Sequence, residues 1–172
     1  MVNALVAIGA NLPSAAGTAR ETCVAAVAAL ADRGLAVVRR SRWFESPPDP
    51  PSDQPWYVNG VAAVTTDLSP EALLAVLQAI ESGFGRVRGA RNAARTLDLD
   101  LIDYDGLVRP GPEAPVLPHP RMDRRAFVLY PMADIAPIWR HPRSGIALTD
   151  LIKALPPGTT CRPIVESGQK SP

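Results

Sequence analysis

The chain has 172 residues with 18 basic and 17 acidic side chains, a formal charge of +1 and two cysteines, which predicts a single domain that buries its core without disulfide staples. The balanced charge excludes a polyanion binder of the histone or ribosomal kind, so any basic site must be local. No apolar run of about 18 residues occurs and the N-terminus lacks a charged leader region, so a cytoplasmic protein with two unpaired thiols and no membrane partner is expected.

In chain order, the apolar run Asn3 to Ile8 reads as a first strand ending at Gly9-Ala10-Asn11. Thr18 and Glu21 have capping-box spacing before an alanine-rich helix to Ala31, with Gly34 as its stop. Leu35 to Phe44 reads as one strand, followed by the proline-rich loop from Ser46 to Pro55, where each proline ring fixes φ. Tyr57 to Thr66 alternates as a third strand, and Ser69-Pro70-Glu71 starts a second helix that runs to about Phe84. In that helix Leu73, Leu77, Ile80 and Phe84 recur at helical spacing, while Gln78 and Glu81 share a neighbouring face.

The segment carrying Asp98 and Asp100 adds a further strand. Asp105-Gly106 is a hairpin signal leading into Leu107 and Val108. A proline-rich loop then reaches Pro118-His119-Pro120-Arg121, a helix from Arg124 to Ile135 is interrupted at Pro131, and Thr149 to Leu155 forms another short helix. The domain is expected to span residues 1–165, with a disordered tail at 166–172. The order strand, helix, strand, strand, helix, strand predicts an α+β fold: a ferredoxin-like antiparallel sheet flanked by helices, an α/β/α sandwich.

Chemistry concentrates at Arg95-Thr96-Leu97-Asp98-Leu99-Asp100-Leu101. Side chains alternate along a strand, so Asp98 and Asp100 share one face, roughly 6 to 7 Å apart, and the three leucines share the other. An Asp-x-Asp pair is often only a solvated strand face. Here Arg86, Arg88, Arg91 and Arg95 lie immediately upstream on a glycine- and alanine-containing segment. Arginine forks suit phosphate oxygens and carboxylates suit magnesium, so together they form the two halves of a Mg-ATP site. The chain has neither a G-x-x-x-x-G-K-[ST] loop nor a kinase catalytic loop, so this would be phosphoryl-type chemistry on another scaffold.

Five segments resemble one family in the right order: A-I-G-A-N-L at residues 7–12, D-Q-P-W-Y-V-N at 53–59, G-R-V-R at 85–88, R-T-L-D-L-D-L at 95–101 and L-P-H-P-R-M-D-R-R-A-F-V-L at 117–129. They look like 6-hydroxymethyl-7,8-dihydropterin pyrophosphokinase of the folate pathway. The resemblance implies transfer of the pyrophosphoryl group of ATP to the hydroxymethyl group of a reduced pterin, giving AMP. It implies Asp98 and Asp100 as ligands of two magnesium ions and, with Arg86 and Arg95, as catalytic residues. It further implies ATP contacts at Leu74, Gln78, Glu81, Arg88, Arg91, Leu101, His119 and Arg125. On the pterin side it implies Ser46, Pro47, Asp49, Tyr57, Asn59 and Phe127, with Tyr57 and Phe127 sandwiching the ring. A monomer acting on small molecules, without a nucleic-acid partner, is expected.

The chain departs from the family pattern at Asn92, where tryptophan is usual, at Ala114 and Val116, where polar or basic ATP contacts are common, and at Asp49, where an apolar residue flanks the pterin. Weaker nucleotide binding with the same reaction type is expected. Two rival readings follow from the same layout: a nucleic-acid-binding module, which shares the ferredoxin-like order, and a nucleotide binder that has lost catalysis. The aspartates argue against the first, because they would repel a phosphate backbone.

Overall fold

The structure is a computed structural model that describes residues 1–85 and 94–165. Strand β1 (Val2–Ala10) lies between β4 (Tyr57–Thr66) and β5 (Asp98–Tyr104), antiparallel to both. The sheet continues from β4 to β3 (Phe44–Ser46) and β6 (Arg162–Pro163), and β2 (Ala36–Arg40) also pairs with β4. With α1 (Ala19–Asp32) following β1 and α2 (Pro70–Gly83) following β4, this is the ferredoxin-like order expected.

Both helix starts follow the sequence signals. The Thr18 hydroxyl accepts from the Glu21 N–H while the Glu21 carboxylate accepts from the Thr18 N–H at 2.8 Å, and Ser69 Oγ accepts from the Ala72 N–H at 3.2 Å. Helices α1 and α2 cover one face of the sheet. There Ala4, Val6, Ile8, Leu30, Leu77, Leu97, Leu99 and Leu101 belong to one buried cluster. On the other face α3 (Ala126–Ile135) and α4 (Leu148–Lys153) bury Val128, Leu129, Met132 and Leu148 against Leu5, Val61 and Ile102. The layers are those of an α/β/α sandwich.

Three sequence expectations need correction. The single strand expected over 35–44 is two, broken at Ser41-Arg42-Trp43. Trp43 turns into the core so tightly against Gly60 that a Cβ there would lie 2.6 Å from the ring, and Ser41 Oγ accepts from the Val61 N–H at 2.9 Å. The Asp105-Gly106 turn forms with positive φ at both residues, but Leu107 and Val108 are exposed and make no returning strand. Arg109 instead bridges to Leu117. Pro131 lies inside α3 without ending it, because Val128, Leu129, Met132 and Ile135 anchor the helix on both sides of the one lost N–H.

Candidate active site

The alternation in β5 sends Leu99 and Leu101 into the α1 and α2 core and leaves Asp98 and Asp100 half-buried on the opposite face. On that face α3 covers only one half of the sheet. The other half is a cavity of ≈ 290 Å³ whose lining includes Ser46, Pro47, Asp49, Tyr57, Asn59, Arg95, Asp98, Asp100, Arg125 and Phe127. Its floor is made by Ala7 and Gly9 of β1, paired with Asp100 and Asp98 on one side and with Val61 and Asn59 on the other. Small side chains keep this floor low: a Cβ at Gly9 would lie 3.3 Å from Asn59 Oδ1.

The cavity walls include both polar and aromatic side chains. Asn59 is buried and donates through Nδ2 to Ser46 Oγ at 2.9 Å, a contact made possible by the pairing of β3 with β4. Tyr57 begins β4, and burial raises its hydroxyl pKa. Phe127 sits in the first turn of α3, and the Arg125 guanidinium lies 5.3 Å from its ring centroid.

The two aspartates have different partners. Asp98 Oδ1 is 2.7 Å from Arg95 Nη1, and Asp100 Oδ2 is 3.4 Å from Arg125 Nη1 and 3.8 Å from His119 Nε2. Burial, together with the neighbouring Asp98 charge, raises the Asp100 carboxyl pKa despite the nearby His119, Arg125 and Arg95. His119 is fixed by its main chain, which donates to Ile102 O at 2.9 Å, and its Nδ1 accepts from the Arg121 N–H at 3.3 Å. That bond assigns the ring proton to Nε2, facing Asp100. Burial lowers the His119 pKa, with Asp100 opposing and Arg125 and Arg121 adding to the shift, so the ring is neutral at neutral pH.

Other expected residues lie away from the cavity. Leu101 is a core residue, Leu74 is half-buried on α2 and Gln78 is exposed there. Glu81, at the end of α2, is buried, and its Oε1 accepts from the Leu99 N–H at 2.7 Å. It therefore holds β5 from behind the aspartates. Arg86, Arg88, Arg91 and Asn92, and the tail at 166–172, lie outside the described residues. Among the described residues no cluster of three or more His, Cys, Asp or Glu could hold a metal ion. Two carboxylates completed by phosphate oxygens and water are nevertheless a usual magnesium environment.

The sequence reading missed Gln54 and Arg121, both of which line the cavity, and Asn11, which is buried behind it. Asn11 and Gln54 fall inside the A-I-G-A-N-L and D-Q-P-W-Y segments, and that membership was their only sequence signal.

The family model of 7,8-dihydro-6-hydroxymethylpterin-pyrophosphokinase matches residues 5–137. A 2-amino-4-hydroxy-6-hydroxymethyldihydropteridine pyrophosphokinase of Pseudomonas aeruginosa is 46% identical over 154 residues, covering 88% of this chain and 90% of that protein. One from Synechocystis is 43% identical over 152 residues, covering 87% and 74%. The solved Plasmodium falciparum HPPK-DHPS wild type with pteroate superposes with a TM-score of 0.68 at 11% identity, over 88% of this chain and 44% of that one. This chain thus spans less than half of that longer protein, and the likeness to it concerns the fold. From the family match and the two bacterial relatives, the chain belongs to the 7,8-dihydro-6-hydroxymethylpterin-pyrophosphokinase family.

Proposed function

We propose that the cavity between Tyr57 and Phe127 is the pterin site and that Asp98 and Asp100 mark where ATP meets it. The reaction is that of the family: ATP gives its pyrophosphoryl group to the hydroxymethyl group of 6-hydroxymethyl-7,8-dihydropterin, releasing AMP, in folate biosynthesis. The observation that carries the placement is the pair of carboxylates on one face of β5, both lining the cavity.

At ≈ 290 Å³ the cavity suits one small ring and not a ring together with a nucleotide. The π-faces of Tyr57 and Phe127 would hold the flat heterocycle, and Asn59, Ser46 and the Pro47 main chain would hold its polar edge, with Asp49 at the rim. The triphosphate would then lie over Asp98 and Asp100. Arg95 and Arg125, already beside these carboxylates, offset charge on the transferred group and on the leaving AMP. Arg86, Arg88 and Arg91, outside the described residues, are proposed as further phosphate-binding cations on the strength of the family resemblance. The adenosine end would run along the edge of β5 toward α2, where Leu74, Gln78, Glu81, Leu101 and His119 border it.

The donor set fits magnesium: two hard oxygen donors on one strand face, with a raised Asp100 pKa that a cation would relieve. Two bound ions would supply electrostatic stabilisation of the incoming and transferred oxygens. No described helix is long and apolar enough to cross a membrane. A cytoplasmic monomer acting on ATP and the pterin is part of the proposed reading.

The test is direct. Protein, Mg-ATP and 6-hydroxymethyl-7,8-dihydropterin are incubated and the nucleotide product is identified. AMP with pterin diphosphate is expected, whereas ADP, or no nucleotide product, overturns the reading.

A further inference from the structure

Asn11 stands just past the end of β1, is 3% exposed, and is not itself part of the cavity lining. Its side-chain amide nevertheless joins the two segments that flank the cavity. Oδ1 accepts from the Arg95 N–H at 2.9 Å, while Nδ2 donates to Gln54 Oε1 and to Pro55 O, both at 3.1 Å. The main-chain N–H groups of Asn11 and Leu12 donate to Arg95 O at 3.1 and 3.2 Å. The main chain of Arg95 is therefore gripped at both its N–H and its carbonyl.

The amide cannot be turned round. The Arg95 N–H only donates and the Pro55 carbonyl only accepts, so the oxygen must face Arg95 and the nitrogen must face the proline-rich loop. Downstream of the first grip, the Arg95 guanidinium is 2.7 Å from Asp98. Downstream of the second, Gln54 lines the cavity and Tyr57 follows Pro55 by two residues. A residue kept only to satisfy the end of a strand would not need to span two segments about 40 residues apart, one leading into Tyr57 and the other into Asp98.

We infer that Asn11 is a positioning residue that couples the proline-rich wall of the cavity to Arg95, so that the wall beside Tyr57 and the guanidinium beside Asp98 are set together. This rests on the proposed reading of the cavity. It adds that reading's missing mechanical link: a ligand that moves the 54–57 segment would be felt at Arg95 through a single amide.

The experiment is a double-mutant cycle on purified, folded protein, with AMP formation by the wild type established first. If the wild type forms no AMP, the site reading fails and Asn11 is not at issue. Alanine at position 95 keeps the main chain that Asn11 holds but removes the guanidinium it would aim. Asn11→Ala is expected to lower kcat roughly tenfold or more, the scale of one or two buried hydrogen bonds left unmade. In an Arg95→Ala background the same change is expected to lower kcat by less than about twofold, because coupled residues are non-additive. Asn11→Asp keeps an acceptor for the Arg95 N–H but has no donor for Pro55 O, so the KM for the pterin is expected to rise more than the KM for ATP. It also provides a second route if the alanine variant folds poorly. Multiplicative costs in the cycle, or unchanged kcat and KM in the folded fraction of Asn11→Ala, would overturn the inference.

Discussion

The two faces of the sheet use the same strands for opposite ends. Toward α1 and α2 every inward position of β1 and β5 carries an apolar side chain, and the face is closed along its whole length. Toward α3 only the half built on Leu5, Val61 and Ile102 is closed, and the half built on Ala7, Gly9, Asn59, Asp98 and Asp100 is left open. The closed face is what permits the open one. Leu97, Leu99 and Leu101 hold β5 in register, so the intervening carboxylates can stay close to one another without the strand turning over.

The contrast breaks cleanly if each face is changed alone. On the closed face, Leu30→Ala deletes a side chain with no exposed surface and is expected to cost roughly 2–5 kcal/mol, read from urea unfolding, with kcat of the folded protein unchanged. On the open face, Asp98→Ala and Asp100→Ala are each expected to lower the rate by about 10²-fold, near 2.7 kcal/mol. Their unfolding midpoints should stay level or rise, since one of two like charges is gone. A rate loss that tracks instability in these variants would mean the two faces are not separable.

The smallest effect comes from a third carboxylate on β5. Asp103 is 7% exposed, its Oδ2 accepts from the Gly106 N–H at 3.3 Å, and Oδ1 has no partner among the described residues. Burial raises its pKa, against the opposing pull of Gly106 and Trp139. The folded state therefore keeps this proton at pH values where the unfolded chain has released it. Stability contributed by Asp103 rises as pH falls through the folded pKa toward the unfolded one, and is lost as pH rises. Asp103→Asn carries no such term. The stability of the variant minus that of the wild type should be largest at neutral pH and shrink toward pH 4, and a pH-independent difference would show the carboxyl to be unperturbed.

Much of this was legible in the sequence because it follows from local pattern. The capping box at Thr18, the serine cap at Ser69, the period of two in Tyr57 to Thr66 and the leucine-aspartate alternation each fix a direction for a side chain before any packing is known. The cavity itself was legible only through the family resemblance. Ser46 with Asn59, and Arg125 with Asp100, meet across 13 and 25 residues through pairing and helix placement that no local pattern encodes. The break at Trp43 was missed because Ser41 to Phe44 has good strand composition, and only the absence of a Cβ at Gly60 lets the indole turn inward. The helical pattern puts Glu81 on a face with Gln78 and gives no sign that it is buried. Its burial depends on the Leu99 N–H, which lies far along the chain and next to it in space.

That bond has a consequence for how the molecule behaves in company. Because β5 is the outer strand of the sheet, its far side offers main-chain groups to any passing extended chain. Glu81 occupies the Leu99 N–H and the His119 main chain occupies the Ile102 carbonyl, so the ledge is taken at two points by the protein itself. The same two groups that steady β5 also occupy part of the ladder on which a second extended chain would stack.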